Sequence, residues 1–216
     1  PLIQPRYYSV ASVSPKIELL VAIKPNENFY GLASAFFKSL VLPLKTPIRG
    51  SFVASPFRPP HGKPLILLAN GTGIAPFRAL LLERQKALEA NKESIVGKTT
   101  LFFGCRRRDE DYFCQKELEN FVKSGVIFAI FEAFSREEGN RVYVQDILAH
   151  KRDLLRKTIY EEGGALMACG SPGMVRAVCL VVKKLLREIN QFESPTETEA
   201  EFDKLRHQGQ ICYEVW

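Results

Sequence analysis

The stretch Leu65–Arg78, LILLANGTGIAPFR, decides the fold of this chain. Its apolar half, Leu65–Ala69, predicts a buried strand, and the chain then passes through Gly71 and Gly73 into a predicted helix, Ala75–Ala90. Glycines allow a backbone to approach a ligand closely, and a helix N-terminus presents free N–H groups to a phosphate or a nicotinamide. The turn is neither a Walker loop nor a complete Gly-x-Gly-x-x-Gly motif, so a tight strand-to-helix turn without a ligand is an alternative.

Downstream of this stretch, apolar runs of strand length alternate with segments of helical spacing. The predicted strands are Thr99–Phe103, Val126–Phe131, Ala165–Cys169 and Ile211–Val215. The predicted helices lie near Asp109–Val122, in segments of Val144–Tyr160, over Pro172–Gln191 and over Glu197–Arg206. This alternation predicts an α/β fold with a mainly parallel sheet and helices on both of its faces.

Residues 1–60 show a different pattern. Two short β-rich runs, Ile17–Ile23 and Ser51–Ala54, flank a predicted amphipathic helix that Gly31–Ser34 opens. Repeated prolines interrupt the chain after this helix, and Ser55–Pro64 is predicted to be a connector. We therefore expect two domains, covering residues 1–60 and 61–216.

Composition restricts the classes of protein to which this chain can belong. Its 216 residues, 46% of them hydrophobic, suffice for one or two cores, and the sequence has no run of eighteen apolar residues that would predict a membrane span. It also shows no secretory or transit segment. Because the chain begins at Pro1 and its methionines are Met167 and Met174, we expect a fragment or a processed form, with any membrane anchor or further domains upstream.

Cysteine content, charge and histidine spacing exclude several kinds of site. The five cysteines, an odd number without CxxC spacing, argue against a disulfide framework or a zinc site and for a reducing compartment. The net charge of +6 is spread along the chain, which disfavours nucleic-acid binding and suits a phosphorylated cofactor or an acidic protein partner. The histidines, His61, His150 and His207, are scattered, so no metal site is expected.

Several motifs beyond the glycine turn carry a resemblance to a known family. The motifs are Gly71–Arg78, Leu101–Arg106, Asp109–Tyr112, Ala133–Glu137 and Val142–Asp146. Together they resemble the C-terminal half of the diflavin reductases, within the ferredoxin–NADP reductase superfamily, and the last two are most similar to the cytochrome P-450 reductase branch. The resemblance extends from Ile3 to Trp216. It implies a Rossmann-like NADP-binding domain preceded by part of an antiparallel FAD-binding β-barrel, whereas the family's FMN domain, connecting insert and first barrel strands have no counterpart here.

The resemblance implies FAD contacts within residues 1–60. Arg6 would pair with the FAD pyrophosphate, since a guanidinium is a planar and always-charged fork. Tyr8, which follows Tyr7, would pack on the isoalloxazine, and Ser9 would reach the flavin N5 edge. A second pyrophosphate contact is implied for the helix start, formed by Gly31, Leu32, Ala33 and Ser34. The residues alone also fit an arginine and two tyrosines on a half-buried strand.

The resemblance also implies a pocket for the adenosine 2′-phosphate of NADP(H). Its residues are Ser135, Arg136, Arg141, Tyr143 and Gln145. A phosphate favours cations and hydroxyl donors, whereas NAD enzymes usually place an acidic residue on this ribose. The pattern therefore favours NADPH over NADH, although neighbouring glutamates leave a solvated charge run as an alternative. Further NADP contacts are implied for Gly71, Thr72, Gly73, Cys105, Arg106, Gly170 and Met174.

A hydride-transfer cluster is implied for Ser9, Cys105 and Glu214, where Glu214 stands in the place of an aspartate of the cytochrome P-450 reductases. Trp216 would cover the flavin ring and move aside before the nicotinamide stacks. Without the resemblance, a cysteine after a strand is ordinary core packing and Trp216 is a terminal hydrophobe. The loop Cys169–Met174 departs from the family's Cys-Gly-Asp form, being one residue shorter and lacking the acid.

These contacts imply an NADPH-dependent flavoprotein oxidoreductase of the NADPH–haemoprotein reductase type. Hydride would pass from NADPH to FAD, and electrons would continue to an FMN domain or flavodoxin-like carrier and then to a haem or other redox protein. The expected location is the cytoplasm, or the cytosolic face of the endoplasmic reticulum if the whole protein is anchored. Two alternatives stay open: a standalone FAD-type NAD(P)H reductase of a small electron carrier, and a non-catalytic NADP(H)-binding module.

Overall fold

A computed structural model describes residues 4–23, 31–40, 48–90, 97–137 and 141–215. Its centre is a five-stranded sheet in which every pairing is parallel. The strands are β1 Leu65–Asn70, β2 Thr99–Cys105, β3 Ala129–Phe134, β4 Ala165–Gly170 and β5 Ile211–Val215. Their order, β3-β2-β1-β4-β5, puts β1 in the middle and reverses the direction of winding between β1 and β4. The predicted α/β, Rossmann-like parallel sheet is confirmed.

Helices connect the strands and cover both faces of the sheet. They are α1 Leu32–Ser39, a 3-10 turn Gly71–Ile74, α2 Ala75–Glu89, α3 Arg108–Asp111, α4 Gln115–Lys123, α5 Val144–Leu148, α6 Arg152–Arg156, a π-helical turn Lys157–Glu161, α7 Pro172–Asn190 and α8 Pro195–His207. The longest, α7, starts after Ser171, whose hydroxyl accepts the backbone N–H of Met174. Of the helices that the structure describes, none has the length and apolar character needed to cross a membrane.

The alternation of side chains along β1 divides the core into two layers. Leu65 and Leu67 face the layer that contains α2 and α4, where Phe77 is also fully buried. Ile66 and Leu68 face the opposite layer, which contains α5, α7 and α8. All four β1 side chains are at most 1% exposed, because a central parallel strand is covered on both faces. This double burial explains why β1 is a continuous apolar run.

Within residues 61–216, two predicted elements differ from the structure by a split or by more than two residues at a boundary. The third strand is Ala129–Phe134 and not Val126–Phe131, because Val126 and Ile127 pack into the core from the turn that precedes the strand. The helix predicted near Asp109–Val122 is divided into α3 and α4. The division falls at Cys114, which has a positive φ of 60° that a helix does not allow.

The part of residues 1–60 that is described contains α1 and an antiparallel bridge between Val10 and Leu19. The predicted runs Ile17–Ile23 and Ser51–Ala54 form no strand beyond this bridge, because neither finds a neighbouring strand within the described ranges. The barrel and the two-domain division therefore stay predictions. Phe57 nevertheless packs on Phe77 of α2, with ring centroids 5.3 Å apart, so this part of the chain contacts the sheet layer.

Candidate functional site

The carboxyl ends of β1 and β4 lie side by side in the middle of the sheet. Ala69 is paired with Cys169, and the turns that follow the two strands leave the sheet at the same edge. Because the winding reverses between these strands, their connections go to opposite faces and leave a crevice between them. Ligands of open α/β sheets bind in this crevice. The predicted residues of the glycine turn, Gly71, Thr72 and Gly73, lie there.

Two glycines allow the turns to pack closely, Gly73 against the backbone of the other turn and Gly170 against side chains. A Cβ on Gly73 would lie 2.1 Å from the carbonyl oxygen of Cys169, and one on Gly170 would lie 2.0 Å from Oδ1 of Asn70. The methyl carbon of Met174 is also within 2.6 Å of that second position, so the predicted Gly170 and Met174 belong to the same contact. Gly71 differs from both, because its φ is +53° and its Cβ would meet open space. The crevice is thus closed at its base and open at Gly71.

Asn70 joins the two turns by side-chain hydrogen bonds. Its Oδ1 accepts the backbone N–H of Ser171 at 3.0 Å, and its Nδ2 donates to the Ser171 hydroxyl at 3.2 Å. The sequence prediction overlooked this residue. The available signal was a single polar side chain at the end of an otherwise apolar strand, directly before the glycine turn.

Replacing Asn70 with alanine should lower the free energy of unfolding by about 1–3 kcal/mol, because both hydrogen bonds are lost and the Ser171 groups are left without these partners. Urea denaturation measures the change. Asn120→Ala, at an exposed position of α4, is the matched control and should shift the free energy by less than about 0.5 kcal/mol. Equal effects of the two substitutions would show that Asn70 does not hold the turns together.

A hydroxyl, a carboxylate and a thiol meet at the carboxyl end of β5. Ser9 donates from its hydroxyl to Oε2 of Glu214 at 3.2 Å, and the Cys169 thiol lies 4.0 Å from the same oxygen. Cys169 and Glu214 are direct partners across β4 and β5. Burial, reinforced by the Glu214 carboxylate, raises the pKa of the Cys169 thiol to about 12. The thiol is therefore protonated at neutral pH and able to donate.

The thiol of this cluster is Cys169 and not the predicted Cys105. Cys105 ends β2, which β1 and β4 separate from β5, so about 14 Å of sheet lies between Cys105 and Glu214. The Cys105 thiol instead contacts the backbone oxygen of Arg107 at 3.5 Å. Ser9 and Glu214 were predicted together, and they are in contact.

The residues of the predicted 2′-phosphate pocket follow β2 and β3 at the same edge of the sheet. Beyond the strands, the backbone N–H of Ser135 donates to the oxygen of Cys105, and that of Arg136 donates to the oxygen of Arg106. The chain returns at Val142, whose N–H donates to the oxygen of Phe134. These bonds place Arg106, Ser135, Arg136 and Arg141 around one short loop. In the described ranges, the three guanidinium groups of these residues form no ion pair.

Two further predicted pocket residues belong to the start of α5. Tyr143 precedes the helix and its backbone N–H is bonded to the Asp146 carboxylate at 2.9 Å, while its ring is half-exposed. Gln145 lies in the first turn, and its Oε1 is buried without a hydrogen-bond partner among the described residues. A buried polar atom without a partner is uncommon and fits a site that a ligand completes.

The charged side chains next to the predicted pocket, Arg108, Glu132 and Glu137, already have partners within the protein. The guanidinium of Arg108 is hydrogen-bonded to the Glu132 carboxylate and lies over the Phe134 ring, 4.5 Å from its centroid. Tyr112 donates to the other Glu132 oxygen at 2.5 Å. Burial acts to raise the pKa of Glu132, but the hydrogen bonds from Arg108 and Tyr112 outweigh it and hold that pKa below its usual value. Glu137, which had supported the alternative of a solvated charge run, accepts the backbone N–H of Arg108 at 2.9 Å.

The predicted FAD residues are brought together only in part. The Tyr8 ring meets Phe37 of α1 edge-on, with centroids 5.5 Å apart, so the Arg6–Ser9 stretch lies beside the helix that Gly31, Leu32, Ala33 and Ser34 begin. Arg6, whose guanidinium donates to the backbone oxygen of Gln4, is exposed, and Tyr7 is 77% exposed, so both are accessible to a ligand. Trp216 lies outside the described residues.

A parallel sheet with this strand order and a glycine turn after its central strand is the architecture of an α/β dinucleotide-binding domain. The family described as the oxidoreductase NAD-binding domain matches residues 67–180, which include the glycine turn and the basic loop. The chain belongs to this family.

The whole chain is similar to NADPH–cytochrome P450 reductases. It is 33% identical to that of Mus musculus over 236 residues, covering 100% of this chain and 34% of the mouse protein. The Drosophila melanogaster reductase is 34% identical, again over the whole chain and 33% of the relative. Inducible nitric oxide synthase of Gallus gallus is 36% identical over 91% of this chain and 19% of the synthase. The chain thus spans about a third of the length of the reductases it matches, and the resemblance to the diflavin reductases is confirmed.

Proposed function

We propose that this chain binds NADP(H) at the carboxyl edge of the sheet and directs its hydride to FAD, held beside Tyr8 and Ser9. The observation that carries the proposal is the hydrogen bond between Ser9 and Glu214. It joins the segment with the FAD-type residues to the end of β5, one strand away from the crevice at β1 and β4. A hydride donor in the crevice and an acceptor beside Ser9 would therefore be neighbours.

Observations at the crevice support a phosphorylated dinucleotide. The open side of Gly71 leaves room for a close approach of the ligand, and the Gln145 oxygen offers an unused acceptor. A 2′-phosphate requires positive charge. The nearby Arg108 is already paired with Glu132, so Arg106, Arg136 and Arg141 would supply this charge. We infer that NADPH is preferred over NADH.

Each group of the Ser9 cluster has a role that its geometry supports. FAD, when bound, supplies the hydride acceptor, and the protein supplies orientation and electrostatics. Glu214 holds the Ser9 hydroxyl in place by accepting its hydrogen bond. Cys169 stays protonated at neutral pH and can donate to the same carboxylate, which limits where the Glu214 side chain points. We infer that these contacts hold the Ser9 hydroxyl in one orientation for hydride transfer.

The wider activity is proposed from the relatives. Their names describe reduction of cytochrome P450 with NADPH and synthesis of nitric oxide. By analogy, we infer that electrons leave FAD for an FMN domain or flavodoxin-like carrier and then a haem or other redox protein, in the cytoplasm or at the cytosolic face of the endoplasmic reticulum. The division into an FAD-binding part, 1–60, and an NADP-binding part, 61–216, belongs to this proposal. A non-catalytic NADP(H)-binding module is the second candidate, favoured by the single antiparallel bridge in the described part of residues 1–60.

The test is anaerobic reduction of a preparation loaded with FAD. NADPH should bleach the flavin absorption much faster than NADH, and Ser9→Ala should slow bleaching by NADPH about 10- to 100-fold while the dissociation constant of NADP⁺ changes less than about threefold. Ser124→Ala is the control, because the Ser124 hydroxyl donates to the backbone oxygen of Phe121 in the last turn of α4, and it should leave the rate unchanged. A chain that binds NADP⁺ but never takes up flavin would reject the reductase proposal in favour of the binding module.

A further inference from the structure

Arg78, in the first turn of α2, has a guanidinium that contacts three different parts of the chain. Its Nε and Nη2 donate to the two carboxylate oxygens of Glu117 at 2.6 and 2.7 Å, an arrangement that only the planar fork of an arginine allows. Its Nη1 donates to the backbone oxygen of Ala11 at 2.6 Å and to Oε2 of Glu18 at 2.7 Å. One side chain thus joins α2, α4 and the segment that follows Ser9.

The segment on which Arg78 acts is a closed loop of the chain. The backbone N–H of Ala11 donates to the oxygen of Glu18 at 2.8 Å, next to the bridge between Val10 and Leu19. Ser12 fastens the interior of the loop, because its hydroxyl donates to the Lys16 oxygen and accepts the N–H of Glu18. Arg78 bonds to both ends of this loop, so it holds the loop as a unit.

The Arg78 contacts differ from an isolated surface ion pair in their number and geometry. The Arg78 side chain is 17% exposed, whereas Glu18 and Glu117 are 48% and 39% exposed, so water partly screens both pairs. Its pKa is raised, chiefly by the hydrogen bond to Glu117, and the same hydrogen bond holds the pKa of Glu117 below its usual value. Both groups therefore stay charged throughout the neutral range.

We propose that Arg78 is a positioning residue that holds the Tyr8–Ser9 stretch against the NADP-binding sheet. Ser9 lies two residues before Ala11, whose backbone oxygen accepts the hydrogen bond from Arg78. Among the residues that the structure describes, the side-chain hydrogen bond of Ser9 to the sheet is the one to Glu214. Arg78 lies five residues after Gly73. The start of α2 therefore positions both the glycine turn and the side chain that bonds to the segment after Ser9. This positioning role rests on the proposed function, because the placement of Ser9 matters only if FAD is reduced beside it. The hydrogen bonds from Arg78 to Ala11 and Glu18 do not depend on that function.

Hydrogen exchange of the Ala11 amide tests these hydrogen bonds without a bound cofactor. In Arg78→Met, exchange at Ala11 should be at least 10-fold faster, while exchange at Leu67 in β1 changes less than twofold. Arg78→Lys should give an intermediate increase, because one ammonium cannot replace the fork. Glu18→Gln, which leaves the Arg78–Glu117 contact intact, should raise Ala11 exchange several-fold. Lys86→Met is the matched control on the same helix, since the contact of Lys86 with this segment in the described part of the chain is a 3.5 Å hydrogen bond to the backbone oxygen of Ser14.

The same variants test the positioning role of Arg78 separately from the proposed reductase function. In an FAD-loaded preparation, Arg78→Met should slow flavin bleaching by NADPH at least 10-fold with a nearly unchanged dissociation constant for NADP⁺. Unchanged Ala11 exchange in Arg78→Met, or an equal rise at Ala11 and Leu67, would overturn the positioning role. If the unmodified protein is not bleached by NADPH at all, the reductase proposal fails, and the exchange data still decide whether Arg78 holds the loop.

Discussion

Replacing both Arg136 and Arg141 with alanine is expected to weaken NADP⁺ binding about 100- to 10 000-fold and to leave NAD⁺ binding within about threefold. Each charge-assisted hydrogen bond to a phosphate contributes about 1.5–3 kcal/mol, and about 1.4 kcal/mol corresponds to a factor of ten in a dissociation constant. Because NAD⁺ has no 2′-phosphate, it does not depend on these side chains. Isothermal titration of the two coenzymes measures both effects in the same preparation.

The matched control for this prediction is Arg156→Ala. Arg156 is an exposed arginine that pairs with Glu161, in the segment that precedes the amino end of β4 and therefore away from the crevice. Its removal changes the net charge without touching the basic loop, so NADP⁺ affinity should change less than twofold. A double variant that loses NADP⁺ and NAD⁺ equally would mean that the loop shapes the crevice but does not recognise the extra phosphate.

Gly73→Ala is expected to lower the free energy of unfolding by about 3 kcal/mol and to abolish measurable coenzyme binding. The added methyl group would stand 2.1 Å from the carbonyl oxygen of Cys169 and 2.7 Å from its carbonyl carbon, and backbone atoms cannot rotate away as a side chain can. The turn must therefore move out of the crevice. Thermal and urea denaturation measure the loss of stability.

A second glycine gives the opposite expectation and serves as the control. Gly173 lies in the first turn of α7, where a Cβ would meet nothing within 4 Å. Gly173→Ala should therefore leave the stability unchanged or raise it by up to about 1 kcal/mol, because alanine loses less backbone freedom in a helix. If both substitutions destabilise the protein equally, the Gly73 contact is not the cause.

Much of the fold follows from local sequence because the central strands are buried on both faces. The apolar runs of β1, β2 and β4 are of strand length and are typical of buried parallel strands. The start of α7 is indicated by helical spacing together with a serine cap and a proline. The start of β3 could not be predicted in this way. Val126 and Ile127 are as apolar as a strand, and only the tertiary packing assigns them to the preceding turn.

The position of candidate residues could be predicted where they directly follow a strand. The glycine turn and the basic loop each continue a strand end, so a parallel sheet brings them to one edge without further information. The choice between Cys105 and Cys169 was different, because both follow strands and only the strand order decides which is next to Glu214. Asn70 and Arg78 were missed for the same reason, since their partners are distant in sequence.

The backbone contact between the two central turns also limits how this protein can diverge over time. Asn70 and Ser171 are separated by 101 positions, yet a change in either turn alters the room available to the other. We therefore expect a substitution in one turn to be tolerated only together with a compensating change in the other, so that the two turns diverge as a single unit.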